Sequence, residues 1–232
     1  MDIKDLENLI LNEVNLVVLS IIRDFPELNI SARSRVGAEI SEFLEEKFVE
    51  YTKSHKFLKN SLQSPRGATK NPWDIKTVFH YKNIKETIWI DFKAIKISGR
   101  NSNPDIGTPN KIINFIKSGH FYLLYVYVFY EETERGLKFV KVNSNKTKTY
   151  FLKDIHHSFR RNPKNQLQVN VHELPEYRTR EEFIKLLIKK IKESHQRQIQ
   201  ISQKTLQEIL DEGNLLLDKN KESELKILEN LK

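Results

Sequence analysis

The sequence predicts an α/β fold, a mixed central β-sheet flanked by helices, and three observations predict it. Two stretches with apolar residues at helical spacing open the chain. A pair of apolar-leaning runs separated by a polar turn follows, and then the run FYLLYVYVFY at 121–130, apolar without alternation, as in a strand covered on both faces. A chain of 232 residues is long enough for one substantial domain, expected over 1–200, with a C-terminal helical extension over 201–232.

The balance of 39 basic against 31 acidic residues gives a net charge of +8, which favours a polyanionic partner. Cysteine is absent, which removes thiol nucleophiles, disulfides and cysteine-ligated zinc together. No apolar run reaches membrane-spanning length, and MDIKDLENLI carries acids where a secretory leader carries base. The expectation is an intracellular, cytoplasmic protein with no membrane partner.

Residues 3–24 place Leu6, Ile10, Val14, Val17 and Ile21 on one helical face, suited to the core or to a dimer contact. Residues 31–51 read as a second amphipathic helix with the stripe Val36, Ile40, Phe43, Leu44 and Phe48. Glu39 lies on that stripe, as a third carboxylate aimed at the following hairpin or as a boundary acid that escapes to water. Arg33 and Arg35 at the helix entrance, and Arg66 in the basic stretch 53–71, are candidates to meet a phosphate backbone; that stretch otherwise reads as ordinary surface loop.

In the hairpin, IKTVFHY leads through the polar KNIKE to ETIWIDFKAI. Period-two alternation puts Asp91 and Lys93 on one face with Trp89 and Ile95, opposite Ile88, Ile90, Phe92 and Ala94. Asp74 opens the outgoing strand. An acid and a lysine on a strand apolar on both sides are costly to bury without a metal or a partner. Two carboxylates suit a hard divalent ion such as Mg²⁺, and a lysine two residues on suits a phosphate oxygen or the attacking water. The alternative for Lys93 is an edge-strand lysine facing solvent.

The polar segment SGRNSNPDIGTPN offers Arg100, Asn101, Asn103 and Asn110 as groove-contacting residues or as turn and cap residues, and Pro109 starts a short helix buried through Ile112, Ile113 and Ile116. LKFVKV is a further strand. In YFLKDIHHSFRRNPKN the two histidines lack a third ligand for a structural zinc site, while Arg160 and Arg161 suit guanine or phosphate and Asn162 and Asn165 suit adenine. LQVNVHEL alternates, with Gln168, Asn170 and His172 on the face turned to DNA or to water. Thr179 and Glu182 form a capping box for a helix buried through Ile184, Leu187, Ile188 and Ile191, and the tail continues helically with an interruption near Gly213 and Asn214.

PWDI and IDFK together match the proline-aspartate and acid-x-lysine halves of a known pattern. ISGRNSNPDIGTPNKI and LQVNVHELPEYRTREEF add a polar loop with its PN-led helix and a late strand with its capped helix. On these residues, over about 31–200, the chain resembles type II restriction endonucleases of the PD-(D/E)xK superfamily, in particular the blunt-cutting homodimeric HincII-like and EcoRV-like branch. The resemblance implies a restriction-endonuclease-like fold, Mg²⁺ held by Asp74 and Asp91 with Glu39 in support, and Lys93 as catalytic partner. It also implies dimerisation through the N-terminal helices, a prokaryotic source, and cleavage of double-stranded DNA at a short palindrome to 5′-phosphate and 3′-hydroxyl ends. The segment from Ser98 to Asn110 is longer than the group's pattern, so base-reading roles do not transfer. A structure-selective repair or recombination nuclease and a noncatalytic DNA-binding module are the alternatives.

Overall fold

The computed structural model describes residues 1–29, 36–65, 71–98, 103–134 and 136–230. Helix α1 (Ile3–Asp24) starts at a capping box in which Asp2 accepts the Asp5 N–H and Asp5 accepts the Asp2 N–H in return. Its expected stripe, Leu6, Ile10, Val14, Val17 and Ile21, is buried in this chain's own core. A dimer contact through α1 is left with its outer side, where Leu16 is exposed. After β1 (Glu27–Leu28), helix α2 (Val36–Thr52) buries Ile40, Leu44 and Phe48.

The strands that follow are β2 (Leu58–Gln63), β3 (Ile75–Tyr81), β4 (Ile84–Lys96) and β5 (Asp105–Gly107). Helix α3 (Pro109–Lys117) is capped by Thr108, and then come β6 (Leu123–Thr133), β7 (Gly136–Phe139) and β8 (Thr147–Phe151). The short β9 (Arg160–Arg161) and β10 (Leu167–Gln168) precede helix α4 (Arg180–Asn230), whose entrance is the expected Thr179–Glu182 capping box.

The main sheet runs β1-β7-β6-β4-β3-β2, with β8 also on β6. It is mixed, as predicted: β4 pairs antiparallel with β3 and parallel with β6. Ile88, Ile90, Phe92 and Ala94 of β4 meet the apolar faces of α1 and α2, together with Leu124, Val126 and Val128 of β6. β6 is buried through Tyr130, which makes its tyrosines part of the interior. Gly136 has φ +141°, and a Cβ there would strike the Leu28 carbonyl, so glycine is what lets β1 lie against β7. Lys153, 2% exposed, is held by Glu7 at 2.8 Å and Asp154 at 2.7 Å, which ties α1 to the chain beyond β8.

Three local expectations change. The hairpin turn is Lys82–Asn83 alone, because Ile84 to Glu86 already pair with Phe79 to Tyr81. Residues 58–63 form a bulged edge strand instead of loop; Asn60 at φ +53° lies within the register shift and breaks the alternation that would have marked it. LQVNVHEL is strand only at Leu167–Gln168, because the Asn170 side chain accepts the His172 N–H and turns the chain.

β5, β10 and β9 form a separate three-stranded sheet. The chain divides into two compact units, Met1–Leu186 and Leu187–Lys232, so the boundary expected near 200 lies inside α4. The second unit is helical to Asn230. Gly213 does not interrupt it: pairs such as Gln207 with Asp211 and Lys204 with Glu208 support the polar helix at i,i+4 spacing. Among the described residues no helix is long and apolar enough to cross a membrane.

Candidate active site

The site forms where β3 stops and β4 runs on. The ladder between them ends at Ile75 opposite Ile90, whereas β4 continues beside β6 as far as Lys96 opposite Tyr130. Asp74, just before β3, is clamped at this split. Its N–H donates to Ile90 O at 2.8 Å, its carbonyl accepts Ser64 N–H at 2.6 Å, and its Oδ2 accepts Phe92 N–H at 2.7 Å. The side chain thus satisfies an amide that β3 no longer reaches.

Asp91 and Lys93 point from the face of β4 opposite the α1–α2 core, with Nζ 2.6 Å from Asp91 Oδ2. Their parallel neighbours on β6 are Tyr125 and Tyr127. Tyr125 donates to Ile106 O at 2.8 Å, and Tyr127 shares a 2.7 Å hydrogen bond with Tyr150. Burial holds the Tyr125 and Tyr127 phenols well above their ordinary range, with neighbouring charge and phenols adding to it.

Burial pushes the Asp91 carboxyl up to about 7, against the pull of Lys93 and with a further push from Asp74. The Asp74 carboxyl is raised by burial too, restrained by Lys93 and the Phe92 N–H. Burial works against the Lys93 charge, but Asp91, Asp74 and Asp105 outweigh it and hold the ammonium above its usual range.

The helix carboxylate on which this pair acts is Glu45, where Glu39 was expected. Gly37, Ser41 and Glu45 recur every four residues along α2. A Cβ on Gly37 would come 3.9 Å from Ala94 O, and the Ser41 hydroxyl lies 3.4 Å from Phe92 O, so this line of the helix lies on β4. Glu45 continues the line by one turn. Burial, then the charges of Asp74, Glu42, Asp91 and Glu46, push it up to about 8. Glu39 is in the first turn of α2, rotated from Glu45 by about 120° around the axis. The signal for Glu45 was the spacing of small residues before it, not the apolar stripe.

Asp74, Asp91 and Glu45, whose charges act on one another, are oxygen-only donors and suit a hard divalent cation. The donor geometry fits such an ion: Asp74 Oδ2 is taken by the Phe92 N–H and Asp91 Oδ2 by Lys93, which leaves Oδ1 of each for the ion, and added positive charge there would relieve the repulsion that raises the Asp91 and Glu45 carboxyls. Beside them a cavity of about 620 Å³ is lined by Trp73, Trp89, Phe115, His120, Lys111 and Asn114. Trp89 stands 4.8 Å from Trp73 and 4.7 Å from His120 between ring centroids, an aromatic wall with a lysine at its edge that sequence reading did not assemble.

Of the other candidates, Arg33, Arg35, Arg66, Arg100 and Asn101 lie outside the described residues. Arg160 is exposed on β9, and Arg161 and Gln168 are half-buried on the small sheet, where Gln168 pairs with Arg160. Asp105 accepts from Gln168 at 2.6 Å and from Asn162 at 3.4 Å, joining the ribbon across its strands. Asn162 also accepts the Gln166 N–H, and Asn165 has φ +61°, so both shape the β9–β10 turn. Asn170 makes the turn to His172, while Asn103 is half-buried and Asn110 is exposed in the first turn of α3.

A search among curated proteins returns no match. The SwaI-like family, described as SwaI restriction endonuclease, matches residues 2–209, a span that holds Glu45, Asp74, Asp91, Lys93 and the whole of both sheets. The match carries the type II restriction endonuclease reading and not the narrower HincII-like and EcoRV-like branch. With the mixed sheet and its flanking helices already those of a restriction-endonuclease-like fold, the chain belongs to the SwaI-like restriction endonuclease family, type II enzymes that hydrolyse DNA phosphodiesters.

Proposed function

We propose that this enzyme uses Mg²⁺ to cut double-stranded DNA at a short palindrome as a homodimer, leaving 5′-phosphate and 3′-hydroxyl ends at a blunt break, in a prokaryotic cytoplasm. The observation that carries the proposal is the pairing of Asp91 with Lys93 beside Asp74 at the β3–β4 split, with Glu45 of α2 close enough for both aspartates to act on its charge. Asp74 and Asp91 would hold the ion, with Glu45 joining them directly or through water. Bound there, Mg²⁺ supplies Lewis-acid stabilisation of the phosphate and lowers the pKa of a water.

The protein's own groups do the rest. Asp74 is fixed through Oδ2 to the Phe92 amide, which leaves Oδ1 for the ion. Lys93, kept cationic by Asp91, faces negative charge that builds on a nonbridging oxygen. The tyrosines of β6 close the floor and exclude water from beneath Asp91 and Lys93. One such cluster per chain supports a dimer, because opposite strands of a symmetric site need one cluster each.

The test is digestion of a large, fully sequenced, unmethylated DNA in Mg²⁺ or in EDTA, with the fragment ends sequenced. Discrete Mg²⁺-dependent fragments that end within one palindrome, with flush 5′-phosphorylated ends, support the proposal. Overhanging ends refute the blunt break alone, and scattered or junction-directed nicks refute palindromic cleavage.

A further inference from the structure

We infer that His156, His157, Glu176 and Glu173 form a second metal site, separate from the Asp74–Asp91 cluster, that takes one zinc-class divalent ion and clips the two ends of the β9–β10 ribbon together. The histidines precede β9 and the glutamates lie between β10 and α4. One ligand atom from each of His156, His157 and Glu176 lies within 4.8 Å of the others. His156 Nε2 is 3.3 Å from Glu176 Oε1 and 3.5 Å from Glu173 Oε2, and His157 Nδ1 is 2.7 Å from Glu176 Oε1. Ligands about 2.0–2.2 Å from a tetrahedral zinc stand about 3.3–3.6 Å apart. Two of the three separations already have that value, and the third opens by a small rotation of His157, whose side chain is 63% exposed.

The surroundings aim the ligands. Glu176 Oε2 is occupied by Arg178 and by the His157 N–H, so Oε1 is the oxygen turned to both imidazoles. The Ser158 hydroxyl is 2.8 Å from His156 Nδ1, which leaves Nε2 for the ion. This is the outer-sphere arrangement that fixes ligand orientation in metal sites. The backbone is held as well: Glu176 N–H donates to Asp154 O at 2.7 Å, and Lys148 binds the carbonyls of Val171 and Glu173. Two imidazoles and two carboxylates select zinc-like ions, whereas the oxygen-only cluster at Asp74 and Asp91 suits magnesium. The ribbon between the paired ligands carries Arg160, Arg161 and Gln168, so the ion would set the stiffness of that arm rather than take part in hydrolysis.

The test uses the full chain, stripped with chelator and titrated with Co²⁺ at pH 7.5 by visible absorption, then with Zn²⁺. The expected result is one equivalent of Co²⁺ giving the intense band of a four-coordinate site, displaced by one equivalent of Zn²⁺. The band persists in Asp91→Asn and disappears in His157→Ala and in Glu176→Gln. Zinc at hundredfold excess over its Kd raises the melting temperature of Asp91→Asn by roughly 5–11 °C and leaves Asp91→Asn/His157→Ala unmoved. His157 is exposed, so its alanine variant keeps the fold and makes the comparison decisive even where Glu176→Gln disturbs Arg178. Absence of the band in the unsubstituted chain overturns the proposal. So does a band that survives His157→Ala or vanishes with Asp91→Asn, since the ion would then sit elsewhere.

Discussion

Glu45→Gln should make the metal-free enzyme more stable and the metal-loaded enzyme slower. Burial, and then the negative charges of Asp74, Glu42, Asp91 and Glu46, raise its carboxyl from 4.5 to about 8. The folded chain therefore holds that proton more tightly than the unfolded chain does. The cost of ionising Glu45 is absent below about pH 4.5, grows as pH rises, and levels off above about 8. At pH 7.5 the full shift corresponds to about 4 kcal/mol, and halving it for the carboxylate's remaining contact with water leaves about 2 kcal/mol. Glutamine removes that cost. In EDTA at pH 7.5 the variant should melt about 4–8 °C above the parent chain, with the difference gone near pH 4.5. In Mg²⁺ the gain should shrink, because the ion offsets the same repulsion, and cleavage should fall by about 10–100-fold as a metal-supporting group is lost. Glu39→Gln is the control, expected within about 0.5 kcal/mol of the parent and at full activity. Melting curves at both pH values and a cleavage time course decide the matter. An unchanged or lower melting temperature for Glu45→Gln at pH 7.5, or an activity loss in Glu39→Gln instead, would refute the reasoning.

Asp91→Asn should abolish cutting while sequence-selective binding persists in a gel-shift assay, because metal affinity is lost and the basic surface is kept; cleavage at the parent rate would remove Asp91 from the chemistry. Asp74→Ala strands the Phe92 N–H and should cost about 1–3 kcal/mol in denaturant unfolding, whereas Asp74→Asn keeps an acceptor oxygen and should cost less. Equal losses in the two variants would show that the Phe92 contact carries no stability. Arg160→Ala should weaken cognate binding by about 1–3 kcal/mol if the guanidinium reads a base. A loss of equal size on unrelated DNA, with a shallower salt dependence, would make it a phosphate contact.

The β3–β4 hairpin and the shared face of Asp91 and Lys93 were legible because strand periodicity is local: two residues apart on a strand means the same side. The burial of 121–130 was legible for a similar reason, since an unbroken apolar run has no wet face to offer. Glu45 was not, because the apolar stripe of α2 says which side enters the core but not which strand crosses it; that is set by Gly37 and Ser41 against β4, a contact between distant segments. The site at His156 and His157 was missed for the same physical reason. The third ligand sits beyond a ribbon whose strands are two residues long, too short for alternation to announce a return of the chain.

The chemistry and the candidate base contacts rest on different sheets. Asp74, Asp91 and Lys93 belong to the main sheet, with Phe92's amide and carbonyl answered by Asp74 and Ser41, while Arg160, Arg161 and Gln168 ride on the small β5-β10-β9 sheet. The link between them is Asp105, whose charge acts on Lys93 and whose carboxylate accepts from Gln168 and Asn162. A laboratory library confined to Arg160 and Arg161 would vary the candidate base contacts while leaving Asn162 and Gln168 on Asp105, and so should sample fewer dead enzymes than one that also varies those two.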